Sequence, residues 1–422
     1  MRAGQRGVKV LPLPPQRPVR LCLPPNRCYN FLDSEVIAAA VEPGGFGAAG
    51  RHLMDDEARA VGGLDPTRVR GPRRRSPWGR RHARTHEEGL SGERRTPTYA
   101  ALDLGTNNCR LLVARPTSDS FRVIDAFSRI IRLGEGISAT GRISEAAIER
   151  ALEALAVCRD KMRQRGVTRA RLIATEACRA AVNGPDFVDR VSDIVGLDLD
   201  VIDRGTEARL AATGCTPLVD PQAEGVILFD IGGGSSEIVS LGSMNGEAGP
   251  PRPIVRDWAS LPVGVVTLAE RHGGVDVDRT VFEAMIGEVA DHLAEFAAEN
   301  AGLRERTFHM LGTSGTVTTI ACVHLGLRRY DRRQVDGCWM THGQISSVVE
   351  RLLAMGYTDR VANACIGAER ADLVLAGCAI LEAIRRAFPC ERLRVADRGL
   401  REGMLVEMMR EDAVWNRSQD WS

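Results

Sequence analysis

The sequence predicts an α/β protein built from two halves that begin alike. Three observations carry this reading. Short apolar runs of strand length alternate with longer runs of helical spacing. Each half opens on a strand–turn–strand unit whose first strand ends in Asp-x-Gly, at Asp103-Leu104-Gly105 and at Asp230-Ile231-Gly232. A helical pattern at 206–214 stands between the two halves and links them. The repeated opening suggests an ancient duplication, although identity between the halves is low.

Order is expected from about Tyr99. YAALDLG, CRLLVARP and FRVIDAFSRI follow one another as strands joined by turns. Residues 143–165 place apolar side chains three and four apart, with Ser144 at the N-cap position and Gly166 past the end. A short buried strand is expected at 171–175, a helix at 185–195 and a strand at 197–203. The second half repeats strand–turn–strand at 225–241, followed by helices near 264–272 and 278–300. Residues 307–321 read as strand–turn–helix, and helices at about 369–388 and 398–411 flank a strand at 392–396.

The domain division follows: a tail at 1–97, a first domain at 98–222, a second at 223–412 and a short tail at 413–422. The first tail holds 11 of the 20 prolines, the run Arg73-Arg74-Arg75 and no lasting period. Disorder, or a start placed too far upstream, is the expectation there. A basic arm that meets nucleic acid or polyphosphate is the alternative.

Hydrophobic residues make up 44% of the chain, enough for a core in each half, whereas aromatic residues make up 5%, too few to suggest base-stacking platforms. A net charge of +1 argues against a generally basic nucleic-acid binder. The balance is uneven: residues 1–97 carry 18 Lys and Arg against 10 Asp and Glu, and the rest carries 38 against 45. An acidic body that holds a polyanion must concentrate its positive potential locally. Lys9 and Lys161 are the only lysines. So complete a bias reflects overall composition, and arginine counts therefore carry little weight. The 11 cysteines show no CxxC spacing and no accompanying His cluster, which speaks against zinc and a disulfide framework. No apolar run reaches membrane-spanning length, and prolines at 12, 14, 15 and 18 interrupt any signal-peptide core. A cytoplasmic protein with reduced thiols, and no membrane partner, is expected.

Three constellations carry chemistry. In Asp103-Leu104-Gly105-Thr106-Asn107-Asn108 an apolar strand ends in an acid and a Gly-bearing turn follows. Successive amides of such a turn cradle a phosphate, but an ordinary hairpin has the same residues. In Asp230-Ile231-Gly232-Gly233-Gly234-Ser235-Ser236-Glu237 three glycines interrupt a strand pattern, a costly choice that usually answers a close backbone approach. Asp230 and Glu237 flank that turn, and two carboxylates beside a phosphate cradle suit Mg²⁺; the alternative is a glycine-rich hairpin with solvated acids. The third, Leu311-Gly312-Thr313-Ser314-Gly315-Thr316, runs into a helix, where capping and anion binding are compatible. The order and spacing of all three resemble the phosphate loops and the nucleotide loop of the actin/sugar-kinase/Hsp70 superfamily, two domains with ribonuclease H-like halves that close on a polyphosphate.

Further segments narrow the resemblance. Ala174-Thr175-Glu176-Ala177-Cys178-Arg179-Ala180-Ala181-Val182-Asn183-Gly184 resembles the ATxAxRxAxNG pattern of the exopolyphosphatase/guanosine pentaphosphatase (Ppx/GppA) family. Asp203-Arg204-Gly205-Thr206-Glu207-Ala208-Arg209-Leu210 resembles its SGxEEARL. Arg132-Leu133-Gly134-Glu135-Gly136 is similar to its RLGEG stretch, and Asp397-Arg398-Gly399-Leu400-Arg401-Glu402-Gly403 to its GLREG signature. The resemblance spans about 98–411. It implies that Glu207 is the catalytic carboxylate that deprotonates the attacking water, and that Asp103, Asp230 and Glu237 are Mg²⁺-associated acids. It implies phosphate loops at Gly105, Thr106 and Asn107 and at Gly232, Gly233, Gly234, Ser235 and Ser236, with Gly312, Ser314, Gly315 and Thr316 as the third loop. Arg132 and Arg179 match basic positions expected to pair substrate oxygens, although the Arg-rich composition also allows ordinary surface arginines.

The chain departs from the pattern in two informative places. Asn108 stands where the first loop often has a hydroxyl, and Thr206 stands where an acid often precedes the catalytic glutamate. Loss of that neighbouring carboxylate is expected to lower the pKa of Glu207. Long family members add helical C-terminal domains, one HD-like; a short two-domain member is the expectation here, with weaker extended contact to long polymer. The leading expectation is a Mg²⁺-dependent exopolyphosphatase, with guanosine pentaphosphate (pppGpp) 5'-phosphohydrolase as the nearest alternative. A kinase of the same fold and a non-enzymatic polyphosphate or nucleotide sensor are the remoter ones; the TEARL segment argues against the first, and the presence of Glu207 and Asp230 against the second. A homodimer is the family expectation; no residue pattern bears on it, and no specific nucleic-acid partner is expected.

Overall fold

The computed structural model describes residues 96–242 and 254–415. The expected tail at 1–97 therefore lies almost wholly outside the described residues, as does most of 413–422. The first half runs β1 (Tyr99–Leu104), β2 (Asn108–Pro116), β3 (Phe121–Ile130), α1 (Ile137–Thr140), α2 (Glu145–Gln164), β4 (Arg169–Ala174), α3 (Glu176–Ala180), α4 (Gly184–Val195), β5 (Asp200–Val201) and α5 (Arg204–Cys215). The second half begins with β6 (Gly225–Ile231), β7 (Ser236–Gly242), β8 (Val255–Leu261), α6 (Val265–His272), α7 (Arg279–Glu299), β9 (Phe308–Thr313) and α8 (Ser314–His324). It continues through α9 (Arg332–Val335), β10 (Trp339–Thr341), α10 (His342–Ala354), α11 (Tyr357–Ala362), α12 (Val374–Ala387), β11 (Arg392–Ala396) and α13 (Leu400–Glu411).

Local chemistry accounts for the elements. Ser144 caps α2 by accepting from the Ala147 amide, and Gly166 past its end takes a positive φ of 61°. Its buried stripe, Ala147, Ile148, Ala151, Leu155, Cys158 and Met162, repeats at three and four residues. Along β1 the side chains alternate between two cores: Ala100, Leu102 and Leu104 pack with α2 and α4, and Tyr99 and Ala101 pack on the opposite face.

The first sheet has the order β3-β2-β1-β4-β5 and the second β10-β11-β9-β6-β7-β8. Read from β8, the second sheet repeats the first: three antiparallel strands, then two strands joined in parallel, with β10 added antiparallel at the far edge. This is the duplicated, ribonuclease H-like arrangement of the actin-like fold. The helices that close each half cross over. Ala208, Ala212 and Cys215 of α5 pack on Val226, Leu228 and Val239 of the second sheet. Met404, Leu405 and Met408 of α13 pack on Tyr99, Ala101, Leu112 and Ile173 of the first sheet. Each fully buried Val, Leu, Ile or Met among them contributes about 1.5–3 kcal/mol. The two helices touch through glycines: a Cβ on Gly214 would stand 1.9 Å from the Gly399 carbonyl oxygen, and one on Gly403 2.0 Å from that of Leu210.

Some expectations shift. The strand expected at 197–203 forms ladder bonds only at Asp200–Val201. The helix expected from about 369 begins at Val374, because 363–373 makes turns, with Gly367 at φ 75°. Strands β8 and β10 and helices α10 and α11 were not legible; β8 is a largely exposed edge strand without an apolar run. No helix among the described residues is long and apolar enough to cross a membrane.

Candidate active site

A cleft of about 780 Å³ separates the halves, and its walls are the three loops. Asp103, Gly105, Thr106 and Asn107 come from the β1–β2 turn, Asp230, Gly232, Gly233, Gly234, Ser235 and Glu237 from the β6–β7 turn, and Ser314, Gly315 and Thr316 from the start of α8. Glu207 enters from the first turns of α5, where Asp203 caps the helix through the Thr206 amide at 2.8 Å. The two phosphate loops approach each other closely. A Cβ on Gly233 would lie 2.9 Å from Thr106 Cβ and 3.2 Å from the Asn107 amide nitrogen, so backbone contact across the cleft requires glycine there. No side chain caps α8, which leaves its first-turn amides available to an anion.

Four of the residues singled out by sequence lie elsewhere. The Ser236 side chain is buried and its hydroxyl donates to the Val263 carbonyl at 2.7 Å. Gly312 makes room for the Phe229 ring, 2.6 Å from where its Cβ would stand. Arg132 is bonded to Asp372 on the second half, through Nη1 at 2.9 Å and Nη2 at 3.1 Å. Arg179 is spent on protein acceptors: its Nη2 donates to Glu207 Oε2 at 2.8 Å and to Glu176 Oε2 at 2.9 Å, and its Nη1 to the Ile202 carbonyl at 2.7 Å.

The electrostatics of the cleft are those of crowded, buried acids. Burial, and then the Glu237 charge, push Glu207 well above the ordinary glutamate range, against the opposing pull of Arg179. Thr206 adds no charge beside Glu207, and burial with the Glu237 charge outweighs what the missing acid would have contributed. The Thr206 hydroxyl is turned to Asp203 at 2.8 Å, and desolvation governs Glu207. Burial raises Asp230 to about 6, with Asp103 adding to the effect. Burial and the Asp230 charge raise Glu237 to about 7 although the Ser235 and Ser260 hydroxyls donate to its Oε1 at 2.8 and 3.0 Å. Asp103 is raised by burial as well.

This donor set fits Mg²⁺. Asp230 and Glu237 are direct partners across the β6–β7 ladder, so both carboxylates project from one face. Asn107 and Asn108 line the same cleft, and their Oδ1 atoms are buried without a hydrogen-bond partner. Among the described residues no group of three or more acids, His or Cys is gathered tightly enough to hold a metal alone. Mg²⁺ ordinarily takes one or two carboxylates and completes its shell with water and substrate phosphates.

Sequence reasoning did not name several charged residues of the cleft wall, among them Arg110, Glu176, Arg370 and Arg401. Glu176 and Arg401 sit inside segments already quoted for their resemblance, and that was the available signal. Arg110 is two residues past the first loop on the face that carries Asn108, so strand alternation pointed to it. Arg370 had no signal, because it fell at the start of the helix expected from about 369.

Comparison with known proteins gives the family and the fold. The profile of the Ppx/GppA phosphatase family matches residues 112–412. Exopolyphosphatase 2 of Mycobacterium tuberculosis is 28% identical over 323 residues, covering 73% of this chain and 98% of that protein. Guanosine-5'-triphosphate,3'-diphosphate pyrophosphatase of Aeromonas hydrophila is 26% identical over 315 residues, 74% of this chain, which spans only 60% of that relative's length. Among solved structures, the Aquifex aeolicus member of the Ppx/GppA family gives a TM-score of 0.61 at 28% identity, over 75% of this chain and 98% of that one. An exopolyphosphatase from Cytophaga hutchinsonii gives 0.68 at 24% identity, over 74% and 98%, a likeness of fold.

Proposed function

The chain belongs to the Ppx/GppA phosphatase family, and on that premise we propose that it is a Mg²⁺-dependent exopolyphosphatase, releasing orthophosphate from the end of inorganic polyphosphate. The observation that carries the reading is Glu207: a half-buried carboxylate with a raised pKa, gripped by Arg179 at 2.8 Å, in the same cleft as two glycine loops and an uncapped helix start. A carboxylate poised nearer neutrality is a better proton acceptor from water than a solvated one. Water attacks the terminal phosphorus, its proton passes to Glu207, and the bridging P–O bond breaks to leave a chain one phosphate shorter. The loop amides and the start of α8 hold the phosphate oxygens in line. Bound Mg²⁺ would be held by Asp230 and Glu237, with Asp103 nearby, and would supply charge neutralisation on the leaving phosphate.

A second reading, 5'-phosphohydrolysis of pppGpp, is favoured by one feature. The wall of the cleft on the second half includes Tyr330, Ile366, Leu373 and Val374, an apolar surface for which inorganic polyphosphate has no use. The test is orthophosphate release by the purified protein from long-chain polyphosphate and from pppGpp, at equal concentration of chain ends, with and without Mg²⁺. Faster Mg²⁺-dependent release from polyphosphate supports the first reading, and faster release from pppGpp the second. No release from either returns the protein to the kinase and sensor alternatives.

A further inference from the structure

The loop after β3 joins the two walls of the cleft. At one end it is pinned to the first phosphate loop. The Ile131 and Arg132 amides both donate to the Asn107 carbonyl, at 2.9 and 3.1 Å, and the Gly134 amide donates to the Thr106 carbonyl at 2.9 Å. Arg132 itself takes a φ of 46°, a left-handed conformation that a non-glycine side chain adopts only when its surroundings impose it. Its carbonyl is held from the other side by Arg150 Nη2 at 3.3 Å.

At the other end the Arg132 guanidinium crosses to the second half. It grips the Asp372 carboxylate with both Nη atoms, and Nη2 also donates to the Glu369 carbonyl at 3.1 Å. Asp372 is a fixed anchor, because its carbonyl packs against Gly274, where a Cβ would stand 2.0 Å away. Between the two gripped positions is Arg370, which lines the cleft with its guanidinium 3.5 Å from where a Gly315 Cβ would be. A second bond from the same loop, the Gly136 amide to Glu270 Oε1 at 2.8 Å, reaches α6. The pair is bidentate and its side chains are only 31% and 24% exposed, so it is better ordered than a solvated surface pair.

We infer that Arg132 and Asp372 form a strut that sets the separation between the first phosphate loop and the 369–372 wall, making Arg132 a positioning residue and not a substrate ligand. With the strut in place, the amides around Thr106 and Asn107 and the guanidinium of Arg370 stand in fixed register on opposite sides of one polyanion. Without it, each half still binds phosphate, but the two sets of donors lose their spacing. The inference rests on the cleft being a polyanion-hydrolysing site.

The test is charge reversal. Arg132→Asp and Asp372→Arg alone should each lower kcat/KM for orthophosphate release about tenfold, and the double variant R132D/D372R should recover most of that loss. A ligand arginine gives the opposite result, because an aspartate at 132 repels the polyanion whatever stands at 372; a folded double variant no better than Arg132→Asp overturns the strut. Asp372→Asn decides the matter if the double variant does not fold. It frees Arg132 without adding charge, so the strut requires KM to rise, and a fall in KM overturns it. Amide hydrogen exchange at 365–373, measured without substrate, reads the strut independently of catalysis. Faster exchange in the single variants supports it, and unchanged exchange overturns it. If the unmodified protein releases no orthophosphate from either substrate, the functional reading has failed, and the exchange result still stands or falls alone.

Discussion

Arg179 holds two cleft carboxylates with one nitrogen, its Nη2 donating to Glu207 at 2.8 Å and to Glu176 at 2.9 Å. Arg204 reaches the same Glu176 with its own Nη2, at 2.9 Å. The relationship makes Arg179 the residue that orients and electrostatically tunes Glu207. Removing it therefore has a signature different from removing a substrate contact.

Arg179→Met should move the acid limb of the kcat–pH profile to higher pH. Arg179 opposes the burial that raises Glu207, and the base must be ionised to act, so losing the cation raises the pKa further. Arg179→Lys should restore part of the shift. A profile that falls in height without moving would assign Arg179 to substrate.

Glu207→Gln should lower kcat by about 10²–10⁴-fold, the usual share of general base catalysis. Polyphosphate binding, measured by equilibrium titration, should persist. Turnover near that of the unmodified protein would remove Glu207 from the base role.

The metal-free protein should lose stability as pH rises from about 5 to 7.5. Asp230 and Glu237 have folded pKa values, about 6 and about 7, above their ordinary ones, so the folded state binds protons more tightly than the unfolded state. Their contribution is complete below about pH 4 and is lost as pH rises through the folded values. Thermal unfolding in chelator across this window should show the slope, Asp230→Asn with Glu237→Gln should flatten it, and Mg²⁺ should offset it by binding the folded state. A slope indifferent to both changes would contradict the placing of uncompensated charge on this pair.

Glu237→Ala should also raise the Mg²⁺ concentration needed for half-maximal orthophosphate release. An unchanged titration would place the metal elsewhere.

Gly214→Ala and Gly403→Ala should each destabilise the protein by about 1–3 kcal/mol, the cost of forcing a methyl group into close-packed backbone. Each new Cβ meets a carbonyl oxygen of the opposing helix, Gly399 or Leu210. Denaturant unfolding reads the effect. A neutral result would mean that α5 and α13 are free to separate.

Much of the site was legible because its chemistry is local. The Asp-x-Gly turns, the three glycines at 232–234 and the Ser-Gly start of α8 announce themselves within a few residues, since a phosphate cradle is made of consecutive amides. The fate of Arg132 was not legible. Its partner, Asp372, is 240 positions away, and nothing in the local pattern of an arginine distinguishes a substrate ligand from an ion-pair donor. The raised pKa of Glu207 was not legible for a related reason: the sequence shows the neighbour at 206, whereas burial and Glu237 are properties of the assembled cleft.

By itself the sequence determined the two-half α/β plan, the succession of the principal strands along the chain and the loops that line the cleft, while Glu207 stood out only through the family resemblance. Apolar periodicity and turn chemistry act over neighbouring residues and are written along the chain. Only the tertiary structure decided that α5 and α13 exchange halves, that Arg179 serves Glu207, that Arg132 is taken up by Asp372, and that four acids share one poorly solvated space. Those outcomes depend on distances between residues far apart in the chain and on how much water the fold excludes between them, and neither quantity has a local imprint in the order of the amino acids.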